Sequence, residues 1–206
     1  MAERPILFNG AMVRAILAGQ KTQTRRAVKG VRADNCMSLH KPMKTMAGIV
    51  THVLDAAERG LCPFGNPGDR LWVRETWTNA WDEGKGQWSD PELYHYRADG
   101  VEIAHVDDMQ RSPWIPSIHM PRRACRLVLE VTNVRVERLQ AISADDAVAE
   151  GIRPDGADGF HVEDGANYSD CAIESFASLW TSTGGDWDSN PWVWVIEFKR
   201  VEPAHG

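Results

Sequence analysis

The last apolar run of the chain constrains its fold more than any other segment. In Trp192-Val193-Trp194-Val195-Ile196-Glu197-Phe198, Trp192, Trp194, Ile196 and Phe198 alternate with Val193, Val195 and Glu197. Strand side chains point alternately to the two faces, so this run reads as a buried final strand. Arg126 to Leu139 is the clearest second strand: Leu127, Leu129 and Val131 alternate with Val128 and Glu130, and Val134 and Val136 continue the pattern. Shorter strand segments are read at Pro5–Phe8, at Thr22–Val28 and at Arg70–Trp77, the last led in by a Gly68-Asp69 turn.

Helical signals are fewer. Asn9 is a good N-cap for a helix carrying Met12, Val13, Ile16 and Leu17 on one face, and Gly19 stands where a glycine ends a helix. Ser143-Ala144-Asp145-Asp146 is a capping-box pattern for a short helix ending at Glu150-Gly151. Ile173, Phe176, Ala177 and Trp180 mark a third amphipathic helix. Several strands, few helices and no strand–helix–strand repeat predict a mainly β, α+β fold: a small, mostly antiparallel barrel with short helices at its rim. With no internal repeat and no linker, residues 1–206 read as one domain with two irregular insertions, about 29–67 and 78–124. The second closes on Pro113 to Arg123, where three prolines predict an extended, rigid loop.

A length of 206 residues is enough for one good core. The net charge of −6 argues against a protein that grips long nucleic acid by its phosphates, and a small ligand or short single strand fits better. Nine tryptophans leave some for stacking on a flat ligand after the core is filled. Cys36, Cys62, Cys125 and Cys171 form no C-x-x-C pair and follow no signal peptide, so reduced thiols in a cytoplasmic protein are expected. The spacing of Cys36, His40, His52 and Cys62 is irregular for zinc, and neither a metal nor a cofactor is expected. No apolar run approaches the roughly 20 residues of a membrane span. The oligomeric state is left open.

The chemistry-bearing stretch is Gly19-Gln20-Lys21-Thr22-Gln23-Thr24-Arg25-Arg26. A lysine and a threonine close together on stiff backbone can make a nucleophile and its activator. Two arginines beside them can hold a phosphate, a carboxylate or a base edge. On a strand, Thr22, Thr24 and Arg26 share one face, which sets Arg25 on the other and away from the site. Glu150 is a candidate carboxylate: in the last turn of its helix a negative charge opposes the dipole, a misfit that points to function. Glu75 is the second carboxylate candidate. His119 is a candidate base or ligand contact, and Arg122 and Arg123 are candidate phosphate contacts.

The stretch resembles the signature of ASCH domains, a branch of the PUA-like barrel superfamily: a glycine, a lysine two residues on, a threonine or glutamate three further, and an arginine two beyond. Gly19, Lys21, Thr24 and Arg26 stand at those positions. Its place after a short helix, the Gly68-Asp69 turn opening a strand, and the closing Trp194-Val195-Ile196-Glu197-Phe198 extend the likeness to the middle and end of the chain. Leu71 to Trp77 together with Pro116 to Arg122 also resemble the larger ASCH-type proteins of phage and prophage genomes.

The resemblance implies a PUA-like barrel in a bacterial, possibly phage-encoded, cytoplasmic protein. Small relatives of this kind are amidohydrolases that remove the acetyl group from N4-acetylcytidine with a lysine, a threonine and a glutamate. Carried over, these are Lys21, Thr24 and Glu150, with Arg26, Glu75, His119 and Arg122 as substrate contacts. The implied partner is a modified nucleoside or RNA. Two alternatives stay open: an RNA-binding module or ribonuclease using the same basic pocket, and a phage accessory or assembly protein without catalysis.

Overall fold

The two long apolar runs pair with each other. The computed structural model of the chain describes residues 1–38, 50–79, 81–82, 87–88, 94–100, 114–156 and 159–202. Five strands, β1 (Glu3–Leu7), β2 (Gln23–Ala27), β3 (Arg70–Arg74), β4 (Val128–Arg138) and β5 (Trp192–Val201), form one sheet in the order β1-β3-β4-β5-β2. β4 and β5 run antiparallel from Val128 opposite Val201 to Arg138 opposite Trp192. The register slips between Val131 and Asn133, so Thr132 is an extra, bulged residue.

β5 is interior to the sheet and apolar on both faces because both faces are covered. Trp194, Ile196 and Phe198 join Ile6, Phe8, Val13, Ile16, Leu71 and Val73 in one buried cluster. That cluster lies under α1 (Gly10–Leu17). Val193 and Val195 join Ile142, Ala147, Ile152, Phe176 and Leu179 on the opposite side, under α2 (Ala144–Ala149) and α3 (Ala172–Ser182). Burying each such side chain contributes about 1.5–3 kcal/mol, so the two clusters fix the register of β5 from both sides.

The caps read from the sequence are in place. The Asn9 side chain accepts from the Met12 amide at 2.9 Å, and the Ser143 hydroxyl accepts from the Asp146 amide at 3.1 Å. Gly19 at φ +73° and Gly151 at φ +99° end α1 and α2 in the left-handed region.

The mainly β, α+β expectation holds, with two differences. Among the described residues β1 and β2 are the two edges of the ladder, and no pairing joins them into a barrel. One pair, β1 with β3, is parallel. The connection between them carries α1 and β2, long enough for the chain to return in the same direction. The Pro-rich loop also differs. Its described part is not extended but folds into two 3-10 turns, Ser117–His119 and Arg122–Ala124, entered from Pro116 and Pro121. A proline's fixed φ suits the residue before a tight turn as well as an extended one. Pro113 and His40 lie outside the described residues.

Both expected insertions contribute buried residues. Ala56 and Cys62 belong to the α1-side cluster, and Trp77, Tyr96, Met120 and Ala124 form a third. Among the described residues no helix is long and apolar enough to cross a membrane. Nor do three His, Cys, Asp or Glu side chains among them gather closely enough to hold a metal ion.

Candidate functional site

Lys21 is placed by the end of α1. After the Gly19 turn, the amides of Gln20 and Lys21 both donate to the Ala15 carbonyl, at 2.9 and 3.1 Å. The Thr22 amide then donates to Ala149 at the end of α2, at 2.9 Å, and the Thr22 carbonyl accepts from Phe198 on β5, at 2.9 Å. The residue between these anchors has little backbone freedom. Its side chain is wholly buried.

The Lys21 Nζ donates to two oxygens of one residue: the Glu150 carbonyl at 2.7 Å and the Glu150 carboxylate Oε2 at 2.8 Å. Glu150 is the residue on which α2 ends, and it too is buried. Burial pulls the Lys21 pKa below the usual lysine range; the Glu150 carboxylate opposes that shift, and Arg26 and Arg25 add to it. A lysine of this kind can give up its proton nearer to neutral pH than a solvated one.

The other Glu150 oxygen is held by Arg25, whose Nη1 stands 3.2 Å from Oε1. This corrects the expectation that Arg25 lies away from the site. Strand alternation holds as read: Arg25 is opposite Val195, while Thr24 and Arg26 are opposite Ile196 and Trp194. The Val195 face, however, is the one that carries α2 and therefore Glu150. Arg25 also donates from Nη2 to Asp146 at 2.9 Å and to Glu137, and its guanidinium lies over the Phe176 ring. Arg135 bridges the same Asp146 at 3.0 Å and Glu137 at 3.2 Å. A signal for this network was present in the sequence: Asp146 and Glu150 are four residues apart, one turn of helix, and so share a face.

Thr24 is buried on the opposite strand face, and among the described residues no hydrogen bond joins it to Lys21 or Glu150. Arg26, on the same face, donates to the Leu7 carbonyl at 2.7 Å. Its guanidinium and the Lys21 Nζ both lie over the Phe8 ring, 5.2 and 5.9 Å from the centroid. Burial lowers the Arg26 pKa, with Glu150 opposing.

Glu75 stands in a different cluster. It follows β3 and is fully buried, and Arg126 grips it with two hydrogen bonds, at 2.9 and 3.0 Å. Arg126 also reaches Asp99 at 2.8 Å and stacks over Tyr96, 4.0 Å from the ring centroid. Burial raises the Glu75 pKa, while Arg126 pulls it back. Burial likewise raises Tyr96, to about 12. Glu75 lines a cleft of 380 Å³ with Asn9, Gly10, Ala11, Arg14, Thr76, Arg97 and Ala98. The cleft begins one residue beyond Phe8 and falls within the size range of small-molecule sites.

His119 is exposed at the end of its 3-10 turn. Arg122 makes a two-point surface ion pair with Glu3, both bonds at 2.8 Å, and Arg123 donates to the Tyr94 hydroxyl at 3.2 Å. The structure therefore joins Lys21, Glu150 and Arg25 directly, sets Arg26 beside Lys21 over Phe8, and places Glu75 and Arg122 in ion pairs of their own.

No protein-family model matches the chain, and no curated protein matches it. Two solved structures resemble it remotely. One is an ASCH domain from Lactobacillus crispatus JV V101, with 10% identity and a TM-score of 0.38, covering 98% of this chain and 81% of that one. The other is protein EF3133 from Enterococcus faecalis V583, of the family DUF984, with 12% identity and a TM-score of 0.36, covering 98% of this chain and 77% of that one.

Proposed function

We propose that the chain, residues 1–206 as one domain, is a hydrolase that cleaves the amide of an N4-acylated cytidine or a similar modified pyrimidine. The observation that carries this reading is the buried Lys21–Glu150 pair at 2.8 Å. Taking two charges out of water costs several kcal/mol per ion, so a pair of this kind is a weak device for stability alone. A lysine whose proton is loosened by burial and shared with a carboxylate is suited to act as a base. Lys21 also belongs to the signature that resembles ASCH domains, and Glu150 is the carboxylate that the resemblance to their amidohydrolases implies.

The residues divide the work as follows. Lys21 acts in its neutral form, its proton passed to the Glu150 carboxylate that it already hydrogen-bonds. Thr24 Oγ attacks the acyl carbonyl carbon and gives its proton to Lys21 Nζ. Arg26 offsets the negative charge on the carbonyl oxygen. The bond to N4 breaks, N4 takes the proton from Lys21, and cytidine leaves. Water then attacks the acyl-threonine ester and gives a proton to Lys21 Nζ, which passes it to Thr24 Oγ as the ester C–O bond breaks and the carboxylic acid leaves. Thr24 and Lys21 are not hydrogen-bonded in the resting structure, so the substrate has to draw them together, a tightening common on binding. The cleft lined by Glu75 and Asn9 receives the nucleoside, and the resemblance adds His119 and Arg122 as further substrate contacts.

The RNA-binding alternative asks the arginines to meet phosphates. Arg25 is already spent on Glu137, Asp146 and Glu150, and Arg122 on Glu3. The small-substrate reading is therefore favoured. It is tested by incubating the protein with N4-acetylcytidine and measuring cytidine and acetate release. Equimolar release of both supports it. No release by folded protein at high enzyme concentration rejects this substrate, and RNA binding that weakens steeply with salt would favour the alternative.

A further inference from the structure

We infer that Arg25 is a positioning residue: it holds one oxygen of the Glu150 carboxylate so that the other stays on Lys21. The inference rests on the reading of Lys21 and Glu150 as the working pair, and it adds a residue that the Gly19–Arg26 signature leaves out.

Three observations carry it. The Arg25 guanidinium is wholly buried, and its two amino groups go to different carboxylates: Nη1 to Glu150 Oε1 at 3.2 Å, and Nη2 to Asp146 Oδ2 at 2.9 Å and to Glu137. Asp146, at the third position of the six-residue α2, and Glu150, at its C-terminal cap, lie one turn apart, so one planar group reaches both. Glu137 belongs to β4 and Arg25 to β2, with β5 between them. Arg25 thus ties α2 to strands on either side of β5.

Without that tie, Glu150 keeps only its bond to Lys21, at the frayed end of a short helix. Two oxygens gripped from two sides leave the carboxylate one rotamer. One oxygen gripped leaves it free to turn about its last torsion. Arg25 is also a cation near Lys21, and a cation alone disfavours a second proton nearby. The two roles predict opposite signs, which makes them separable. If Arg25 acts only through its charge, removing it raises the proton affinity of Lys21. If it positions Glu150, removing it lowers that affinity, because Lys21 loses its anionic partner. The remaining charged groups facing the pair are Arg26 over Phe8, and Asp146, Glu137 and Arg135 within the network. None of these residues is substituted in the variants used.

The test is a pH titration of the Lys21 ε-carbon by NMR of protein labelled with 13C-lysine, assigned by its loss in Lys21→Met. In the wild type, Glu150→Gln lowers the Lys21 midpoint by about one pH unit or more. In an Arg25→Lys background, which keeps the cation but not the planar fork, that shift falls to less than half. In Arg25→Gln the Lys21 midpoint lies below the wild-type value. The inference is overturned if Arg25→Lys leaves the Glu150→Gln shift at full size, or if Arg25→Gln moves the midpoint upward. Arg25→Lys decides the question should Arg25→Gln fail to fold. The readout needs no turnover: absence of N4-acetylcytidine hydrolysis by the wild type would sink the proposed substrate, while the coupling among Arg25, Glu150 and Lys21 would be measured regardless.

Discussion

Two buried carboxylates, Glu150 and Glu75, sit in clusters that look alike and differ in the identity of one cation. Glu75 meets Arg126 through two parallel hydrogen bonds, with Asp99 and the Tyr96 ring completing the shell. Glu150 meets Lys21 on one oxygen and Arg25 on the other. Arginine keeps its proton at every accessible pH, so Arg126 anchors Glu75 but cannot exchange a proton with it. Lysine can lose its proton when buried, and Lys21 is buried completely. The same fold thus carries one ion pair fit for structure and one fit for proton transfer. Glu75 lines the wall of the cleft, and in the proposed function the Lys21–Glu150 pair supplies the base.

The comparison can be broken first through stability. Lys21→Met removes one partner of a buried pair and leaves Glu150 with Arg25 alone, so the expected loss is about 3–5 kcal/mol, read from urea unfolding. A loss below about 1 kcal/mol would mean that Lys21 is effectively solvated.

Glu75→Gln takes the charge from a two-point grip but leaves Arg126 its bond to Asp99 and some exposure to solvent. The expected cost is about 2–3 kcal/mol. Substrate affinity falls with it while the turnover number stays within a few-fold, a split read from KM against kcat.

Gly151→Ala probes the support beneath Lys21. Gly151 has φ +99°, and an added Cβ would lie 3.3 Å from the Ala15 Cβ and 3.4 Å from the Lys21 Cβ. The left-handed conformation alone costs about 1–2 kcal/mol. An unchanged unfolding midpoint would show that the α2 terminus is looser than described.

The smallest expected effect is in the pH dependence. The folded pKa of Lys21 lies below its unfolded value, so over the interval between the two the unfolded chain binds more protons. The penalty for burying the charged amine is in force at neutral pH. It is relieved as pH rises through the lowered folded value toward the ordinary lysine range near about 10.4. The wild type therefore gains stability relative to Lys21→Met as pH rises through that window. A constant difference between the two proteins, or one that shrinks, would contradict the assigned direction.

Most of this architecture was legible in the sequence because it follows local rules. The Asn9 and Ser143 caps, the Gly19 stop, the long pairing of β4 with β5 and the amphipathic α3 each rest on a few adjacent residues or on a period. What was not legible depends on which element packs where. Alternation places Arg25 correctly on the face opposite Thr24, but nothing local says that α2 lies on Arg25's face. The parallel return of β1 against β3 is likewise a matter of topology. In the Pro-rich loop the residue type was informative and its consequence ambiguous, since a proline can precede either a turn or an extended segment. Arg122 reads as a candidate phosphate contact because its partner Glu3 lies 119 residues away in the sequence.

The central claim is that the Lys21–Glu150 pair does chemistry and the Glu75–Arg126 pair does not. The most direct measurement is the rate of N4-acetylcytidine hydrolysis at saturating substrate by Glu150→Gln and Glu75→Gln, each confirmed folded. The account predicts that Glu150→Gln loses about a hundredfold or more in kcat, the scale of a missing general base, while Glu75→Gln stays within a few-fold of wild type. Wild-type turnover by Glu150→Gln, with the loss falling on Glu75→Gln instead, would contradict it.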